Sequence, residues 1–171
     1  PSPVRVIVLG RLQVLLPDQS HPLVQIRMDA LGVLDVSAET VALDATLYDS
    51  KILQFTLTGD MALRAGWGRQ PQFVLAIGGF HPRFAPPPGL PALKRLALQL
   101  ADGDSLQLRC QAYLAVTSNT VQFGARVDLH AAGGGFSFDG MLGFDAILQL
   151  APLAFEVEVG AALALRYHGR L

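Results

Sequence analysis

The stretch LQLRCQAYLAV, residues 106–116, places an apolar residue at every second position. Successive side chains of a β-strand point to opposite faces of a sheet, so this spacing predicts a strand with one apolar stripe. The period of a helix would be 3.6 residues rather than two. The stripe comprises Leu106, Leu108, Cys110, Ala112, Leu114 and Val116.

The same period of two recurs along most of the chain of 171 residues. Connections of about four residues separate the alternating segments, as in antiparallel hairpins. We therefore predict an all-β fold, an up-and-down antiparallel meander of about ten long strands that forms a folded-over sheet, a clam or a barrel with one aliphatic face. Residues 1–171 are expected to form a single β-meander domain, a fragment or module of a longer chain. The longer alternating segments are residues 4–16, 24–36, 41–47, 53–63, 121–129, 136–150 and 155–167.

The composition excludes several classes of protein. Hydrophobic residues make up 51% and charged residues 16% of the chain, a balance that excludes intrinsic disorder. The net charge of −1 gives no electrostatic basis for nucleic-acid binding. No run of about 20 apolar residues is present, so no transmembrane helix is predicted. The single cysteine excludes an internal disulfide, and the four histidines lack metal-ligand spacing, so we expect no metal and no cofactor.

The hairpin loops predict which residues lie opposite each other. A loop at residues 117–120 places Arg109 opposite Asp128 and Tyr113 opposite Gly124. We expect an ion pair at the first position and an aromatic ring covering a glycine at the second.

The last hairpin is predicted in the same way. A loop at residues 151–154 places Asp139 opposite Arg166, whereas a slip of two residues sets Asp145 against Glu158. Like charges directly opposite each other are destabilising, so we predict the first register.

The hairpin between these two has a glycine-rich turn. Pairing Ala131 with Phe136 would set Asp128 against Asp139, so we predict a shifted or bulged register near residues 133–135.

The polar face gathers groups that could do chemistry. The carboxylates Asp139, Asp145, Glu156 and Glu158 fall on neighbouring strands, and paired carboxylates can act in acid–base catalysis. A solvated face with cross-strand ion pairs accounts for the same pattern. The same explanation applies to a second group, formed by Asp128, His130 and Ser137. No Gly-x-Ser-x-Gly motif is present. We therefore expect that the protein is not an enzyme. The alternative is a hydrolase that uses these carboxylates.

Residues 78–91, GGFHPRFAPPPGLP, form the longest segment without alternation. Its prolines favour an extended conformation, which suits a rigid crossover packed over a sheet edge. The alternative is a loop that docks a protein partner. The residues of such a partner loop would be His81, Arg83, Phe84 and Pro87.

Four sequence blocks resemble an uncharacterised bacterial protein family that is known only as a domain of unknown function. They are GGFHPRF at residues 78–84, PPPG at 86–89, AYLAVTSNTVQFGA at 112–125 and GMLGFDA at 140–146. The resemblance covers roughly residues 73–167 and implies a long, strand-rich parent chain. It implies no activity, cofactor or catalytic residue.

The aliphatic face must be covered, and the sequence leaves open what covers it. The first possibility is a non-catalytic module that acts as a structural scaffold, with neighbouring β-modules or subunits as partners, or as an apolar groove for a lipid or another hydrophobic molecule. An outer-membrane-type β-barrel is an alternative, because strand length and alternation fit one. The residues expected to line a groove are Phe123, Val127, Phe138, Leu142, Phe144, Val157 and Leu163.

Overall fold

The computed structural model describes residues Val4–Gly169, and within that part all regular structure is β-strand. The long alternating segments form the strands because their apolar residues, leucine and alanine together with valine and phenylalanine, recur at every second position and so share one face. The strands are β1 (Arg5–Leu16), β2 (Val24–Asp35), β3 (Thr40–Leu47), β4 (Ser50–Ile52), β5 (Phe55–Thr58), β6 (Asp60–Gly66), β7 (Gln72–Ile77), β8 (Leu96–Asp102), β9 (Leu106–Thr117), β10 (Thr120–Gly133), β11 (Phe136–Gln149) and β12 (Ala154–Tyr167).

All twelve strands belong to one antiparallel sheet. Its order runs from β1 and β2 through the short strands to β9, β10, β11 and β12. Within Val4–Gly169, β1 pairs only with β2 and β12 only with β11, so these two strands are the sheet edges. The predicted all-β antiparallel meander is confirmed.

The short strands lie end to end in pairs, and the gaps between them line up across the sheet. Both β3 and β4 pair with β2, and both β7 and β8 pair with β9. Asp60 lies at the break, where its N–H donates to the Lys94 carbonyl at 3.2 Å and its carbonyl accepts from Gly78 at 2.8 Å. The pairings close into a ring of eight strands that surrounds this line of breaks.

The register keeps one aliphatic face continuous across the sheet. Leu114 lies opposite Phe123, which lies opposite Ala146, which in turn lies opposite Val157. The opposite side, here called the polar face, carries the intervening residues such as Tyr113. Most of the large exposed apolar side chains belong to the aliphatic face, and Leu163 on β12 is 78% exposed.

Most of the buried apolar residues lie on the polar face, which the crossover formed by residues 78–95 covers in part. Small strand residues, Ala62, Ala76 and Ala115, are fully buried there. They give the crossover room to approach the sheet, and the His81 N–H donates to Gln122 Oε1 at 3.0 Å. The crossover therefore packs over a face of the sheet, and the predicted packing over an edge is wrong.

The registers of two predicted hairpins are confirmed. Tyr113 lies opposite Gly124, and Arg109 lies opposite Asp128. The predicted ion pair of Arg109 with Asp128 is wrong, because the Asp128 carboxylate accepts from Arg126 two residues away on its own strand. The glycine turn also shifts the next register as predicted, because Asp128 lies opposite Met141 instead of another aspartate.

The predicted register of the last hairpin is wrong. Asp145 lies directly opposite Glu158, and Asp139 lies opposite Ala164. Both carboxylates of the first pair have partners from distant segments: the Tyr113 hydroxyl donates to Asp145 Oδ1 at 2.8 Å, and Arg83 Nη2 lies 3.0 Å from Glu158 Oε1. These contacts offset the like-charge repulsion that the hairpin alone would carry.

The contact between Tyr113 and Gly124 gives a stability prediction. A methyl group at Gly124 would meet the Tyr113 ring, and it would lie 2.7 Å from the Phe144 carbonyl oxygen and 2.9 Å from Asp145 Oδ1. We expect Gly124→Ala to lower the free energy of unfolding by about 1–3 kcal/mol, because overpacking forces neighbours to shift. Urea denaturation followed by circular dichroism measures the change.

Gly133→Ala is the matched control for this variant. Gly133 lies on the same strand, and a methyl group there has no atom of the described chain within 4 Å. Equal losses for the two variants would contradict the role assigned to the Tyr113 contact.

Candidate functional site

An open cleft of about 600 Å³ lies on the polar face between the crossover and strands β9 to β12. The crossover supplies Pro82 and Arg95 to its wall. Strands β9, β11 and β12 supply Tyr113, Asp145 and Glu158. The alternation of each strand brings these side chains to one side, since every second residue points into the cleft.

Arg95 and Tyr113 form the centre of this cleft. The Arg95 guanidinium lies 3.9 Å from the centre of the Tyr113 ring, and its Nη1 donates to the Gly78 carbonyl at 3.1 Å. Such stacking is attractive because the ring face is negative. Burial raises the pKa of the Tyr113 phenol well above its usual range, and the hydrogen bond to Asp145 adds to this effect. Tyr113 is therefore a neutral donor at physiological pH.

The rim of the cleft is closed by an ion cluster. Arg83 from the crossover contacts both Glu156 and Glu158 on β12. One guanidinium thus lies between two carboxylates, which suits its fork of donors. The cluster ties the crossover to the strand at the sheet edge.

A second polar cluster lies at the far end of the same face. His130 Nδ1 lies 2.6 Å from Asp139 Oδ1, and Arg166 Nη1 donates to Asp139 Oδ2 at 2.5 Å. The hydrogen bond from His130 holds the pKa of the Asp139 carboxyl below its usual range, and the charges of His130 and Arg166 act in the same direction. The Ser137 hydroxyl is 2.9 Å from His168 Nε2.

The groups suggested by the sequence are therefore distributed over separate contacts. His130 pairs with Asp139, Asp128 with Arg126, and Ser137 with His168. Among residues 4–169, no three His, Cys, Asp or Glu side chains are grouped so that they could hold a metal ion.

The seven predicted lining residues all lie on the aliphatic face. They come from three neighbouring strands, and the Phe123 and Phe144 rings meet edge to face with centres 6.1 Å apart. The side chains form part of a broad exposed surface, on which Val127 and Leu142 are opposite neighbours. Phe138 and Leu163 extend it toward the end of the sheet that carries the glycine turn.

The four residues of the predicted partner loop have different environments. His81 is buried, with its Nε2 lacking a hydrogen-bond partner among the described residues. Phe84 stacks on Phe80, with ring centres 5.4 Å apart. Pro87 is half-buried, while Arg83 is engaged with β12. The role of this segment as a partner loop stays a prediction.

The contact of Arg95 with Tyr113 does not follow from the sequence pattern. The available signal was the pairing of Tyr113 with Gly124, which predicted an aromatic ring lying flat over the neighbouring strand. The sequence could not show which segment would cover that ring.

No helix that is long and apolar enough to cross a membrane occurs between Val4 and Gly169.

The Asp139 cluster predicts a pH dependence of stability. Because the folded-state pKa is lowered, the carboxylate stabilises the fold above about pH 4, and this contribution is lost as the pH falls through the folded-state value. We expect Asp139→Asn to be less stable than the natural chain near pH 7, and the difference to close below about pH 4. Urea denaturation over this pH range measures it.

Asp104→Asn in the exposed β8–β9 turn serves as the control. We expect its difference from the natural chain to stay small at every pH. A difference for Asp139→Asn that does not change with pH would contradict the charge-based explanation.

A family model described as "Family of unknown function (DUF6603)" matches residues 1–171. No curated protein and no solved structure matches the chain. Since the match covers the whole sequence, the chain belongs to this family of unknown function.

Proposed function

We propose that this chain is a non-catalytic β-sheet module whose aliphatic face is its working surface and packs against a second apolar β-sheet layer. The observation that carries the proposal is the exposure of that face across β10, β11 and β12. Leu163 and Val159 on β12 are 78% and 74% exposed, and Leu142 on β11 is 59% exposed. Large exposed apolar patches mark interaction surfaces.

The extent of the surface favours a layer over a single small ligand. A ligand groove encloses most of its ligand, whereas this face is an open surface that spans many strands. The cleft of about 600 Å³ and a second cleft of about 670 Å³, which Arg109, Asp128 and His130 help to line, are formed mainly by polar-face residues of β9 to β12. A second sheet about 10 Å away would bury the aliphatic side chains, as in a β-sandwich.

The state of the carboxylates supports a non-catalytic role. Asp145 accepts from Tyr113, and Glu156 and Glu158 share Arg83. Asp139 accepts from His130 and Arg166. Groups engaged in this way hold segments of the fold together, and this structural role accounts for them without catalysis.

A groove for a lipid or another hydrophobic molecule is the second candidate. The Phe123 and Phe144 rings meet edge to face, and the small side chain of Ala146 lies beside them. The aliphatic face is therefore uneven at this place, which favours a groove. Native mass spectrometry of the purified chain separates the two candidates. Lipid masses retained on the chain would support the groove and overturn the sheet layer.

The use of the aliphatic face is tested with Leu142→Lys and Phe144→Lys on β11. Both side chains are exposed, so we expect each variant to keep its free energy of unfolding within about 0.5 kcal/mol. We expect both to lose binding of a hydrophobic fluorescent dye, because a charge interrupts the apolar surface. Dye titration and urea denaturation are the measurements.

Ala162→Lys on the polar face of β12 is the matched control and should bind the dye as the natural chain does. A loss of about 2–5 kcal/mol for Leu142→Lys would show that this position belongs to a closed core, and the proposal would fail.

A further inference from the structure

Two adjoining clefts form one concave surface on the polar face. The cleft of about 600 Å³ and the second cleft of about 670 Å³ share Gln111, Arg126 and Met141. Residues of all five strands from β8 to β12 line the second cleft. Five neighbouring strands span about 19 Å at the usual spacing of about 4.8 Å, so a cleft that touches the outer two requires a face that curves around it. The two clefts together are here called the polar trough.

Basic and acidic side chains line the polar trough in equal number. The first cleft has two arginines and two carboxylates, which are Arg95, Arg126, Asp145 and Glu158. The second cleft has three basic side chains and three carboxylates, which are Arg109, Arg126, His130, Asp102, Asp128 and Asp139. An anionic ligand would therefore lie against carboxylates and a cationic ligand against arginines, and like charges at close range repel each other. This balance favours a ligand without net charge.

Small residues form the floor of the trough on β11 and β12. Gly143 lies directly opposite Gly160, and Ala162 follows on the same face of β12. Among the described atoms, a methyl group added at Gly160 would have only Met141 Cε within 4 Å, at 3.9 Å. A ring-shaped ligand can therefore lie close to the backbone here.

The centre of the trough presents donors and acceptors side by side. Arg126 donates to the Asp128 carboxylate, and the two side chains are 55% and 37% exposed, so a ligand can reach both. A carboxylate only accepts, so His130 Nδ1 carries the proton in its contact with Asp139, and Nε2 of the neutral ring is an acceptor. Arg109 forms no ion pair within the described part of the chain, which leaves its donors for a ligand.

We propose that the polar trough binds a neutral carbohydrate. Each hydroxyl group of a sugar donates one hydrogen bond and accepts others. Neighbouring hydroxyls can therefore accept from Arg126 and donate to Asp128 or to His130 Nε2, and the sugar ring itself lies over the small floor residues. The trough is on the side of the sheet opposite the aliphatic face, so this binding site goes beyond the role proposed for that face. A further strand beside β12 would extend the sheet sideways without covering the trough.

A glycan microarray that carries neutral, sialylated and sulfated glycans tests the class of ligand. We expect the chain to retain neutral glycans. We also expect the signal to change by less than about twofold between about 50 and about 500 mM sodium chloride, because salt screens only charged ligands. An array on which no neutral glycan is retained, or on which only the charged glycans are, would overturn the proposal.

The place of binding is tested with Gly160→Gln, by calorimetric titration with the neutral glycan that gives the strongest array signal. The new side chain has room on the floor of the first cleft and occupies the place of the ligand. We expect the affinity to fall by about tenfold or more. Gly133→Gln is the matched control, because Gly133 lies outside both clefts and also has no described atom within 4 Å of an added methyl group. Equal affinities for these two variants would overturn the site.

Arg126→Ala with Asp128→Ala tests the hydrogen-bonding groups at the centre of the trough. An exposed ion pair contributes little to stability, so we expect this double variant to keep its urea midpoint and to bind the glycan about tenfold more weakly. Arg11→Ala with Asp29→Ala is the matched control, because this exposed pair joins β1 to β2 outside the trough. A double variant in the trough that binds as well as this control would overturn the proposal.

Leu142→Lys separates the carbohydrate site from the role proposed for the aliphatic face. Leu142 lies on β11 with its side chain on that face, so this variant should lose dye binding and keep its affinity for the glycan. A folded Leu142→Lys variant that loses the glycan as well would place the carbohydrate on the aliphatic face and overturn the site in the trough.

Discussion

The structure depends on the alternation of side chains, carried from strand to strand by unshifted hairpin registers. A register shift of one residue would move every side chain of a strand to the opposite face. From β9 to β12 each apolar residue lies opposite a residue of the same face. From β9 to β12 the sheet consequently has two chemically different faces.

The two faces of the sheet differ in how much of them the crossover covers. The crossover covers the middle of the polar face, where alanines and Gln122 are buried beneath it. It is held there by side-chain contacts that Arg83 and Arg95 make with the strands. Apart from the contact of β3 with β5, the main contacts between strands are those of neighbours paired in the sheet. The described residues therefore place no second layer on the aliphatic face. Within the described residues the crossover thus covers part of the polar face, and the aliphatic face stays open.

Much of the fold follows from local pattern, and the errors have a common physical origin. Alternation predicts the strands, and the loop at residues 117–120 predicts that Tyr113 covers Gly124. The charges of two neighbouring strands do not determine the register of the last hairpin. Arg83 and Tyr113 reach its carboxylates from segments distant in sequence, and their contacts offset the like-charge repulsion. The contact of Arg95 with Tyr113 is hidden from the sequence for the same reason, since the pattern of one strand does not show which segment will cover it.

Edge and face are coupled through the direction of the backbone. On β12 the residues with outward-facing backbone groups lie on the aliphatic face, and on β1 they lie on the polar face. Antiparallel pairs join outward-facing residues directly, so only an edge paired with its own kind keeps the two faces continuous.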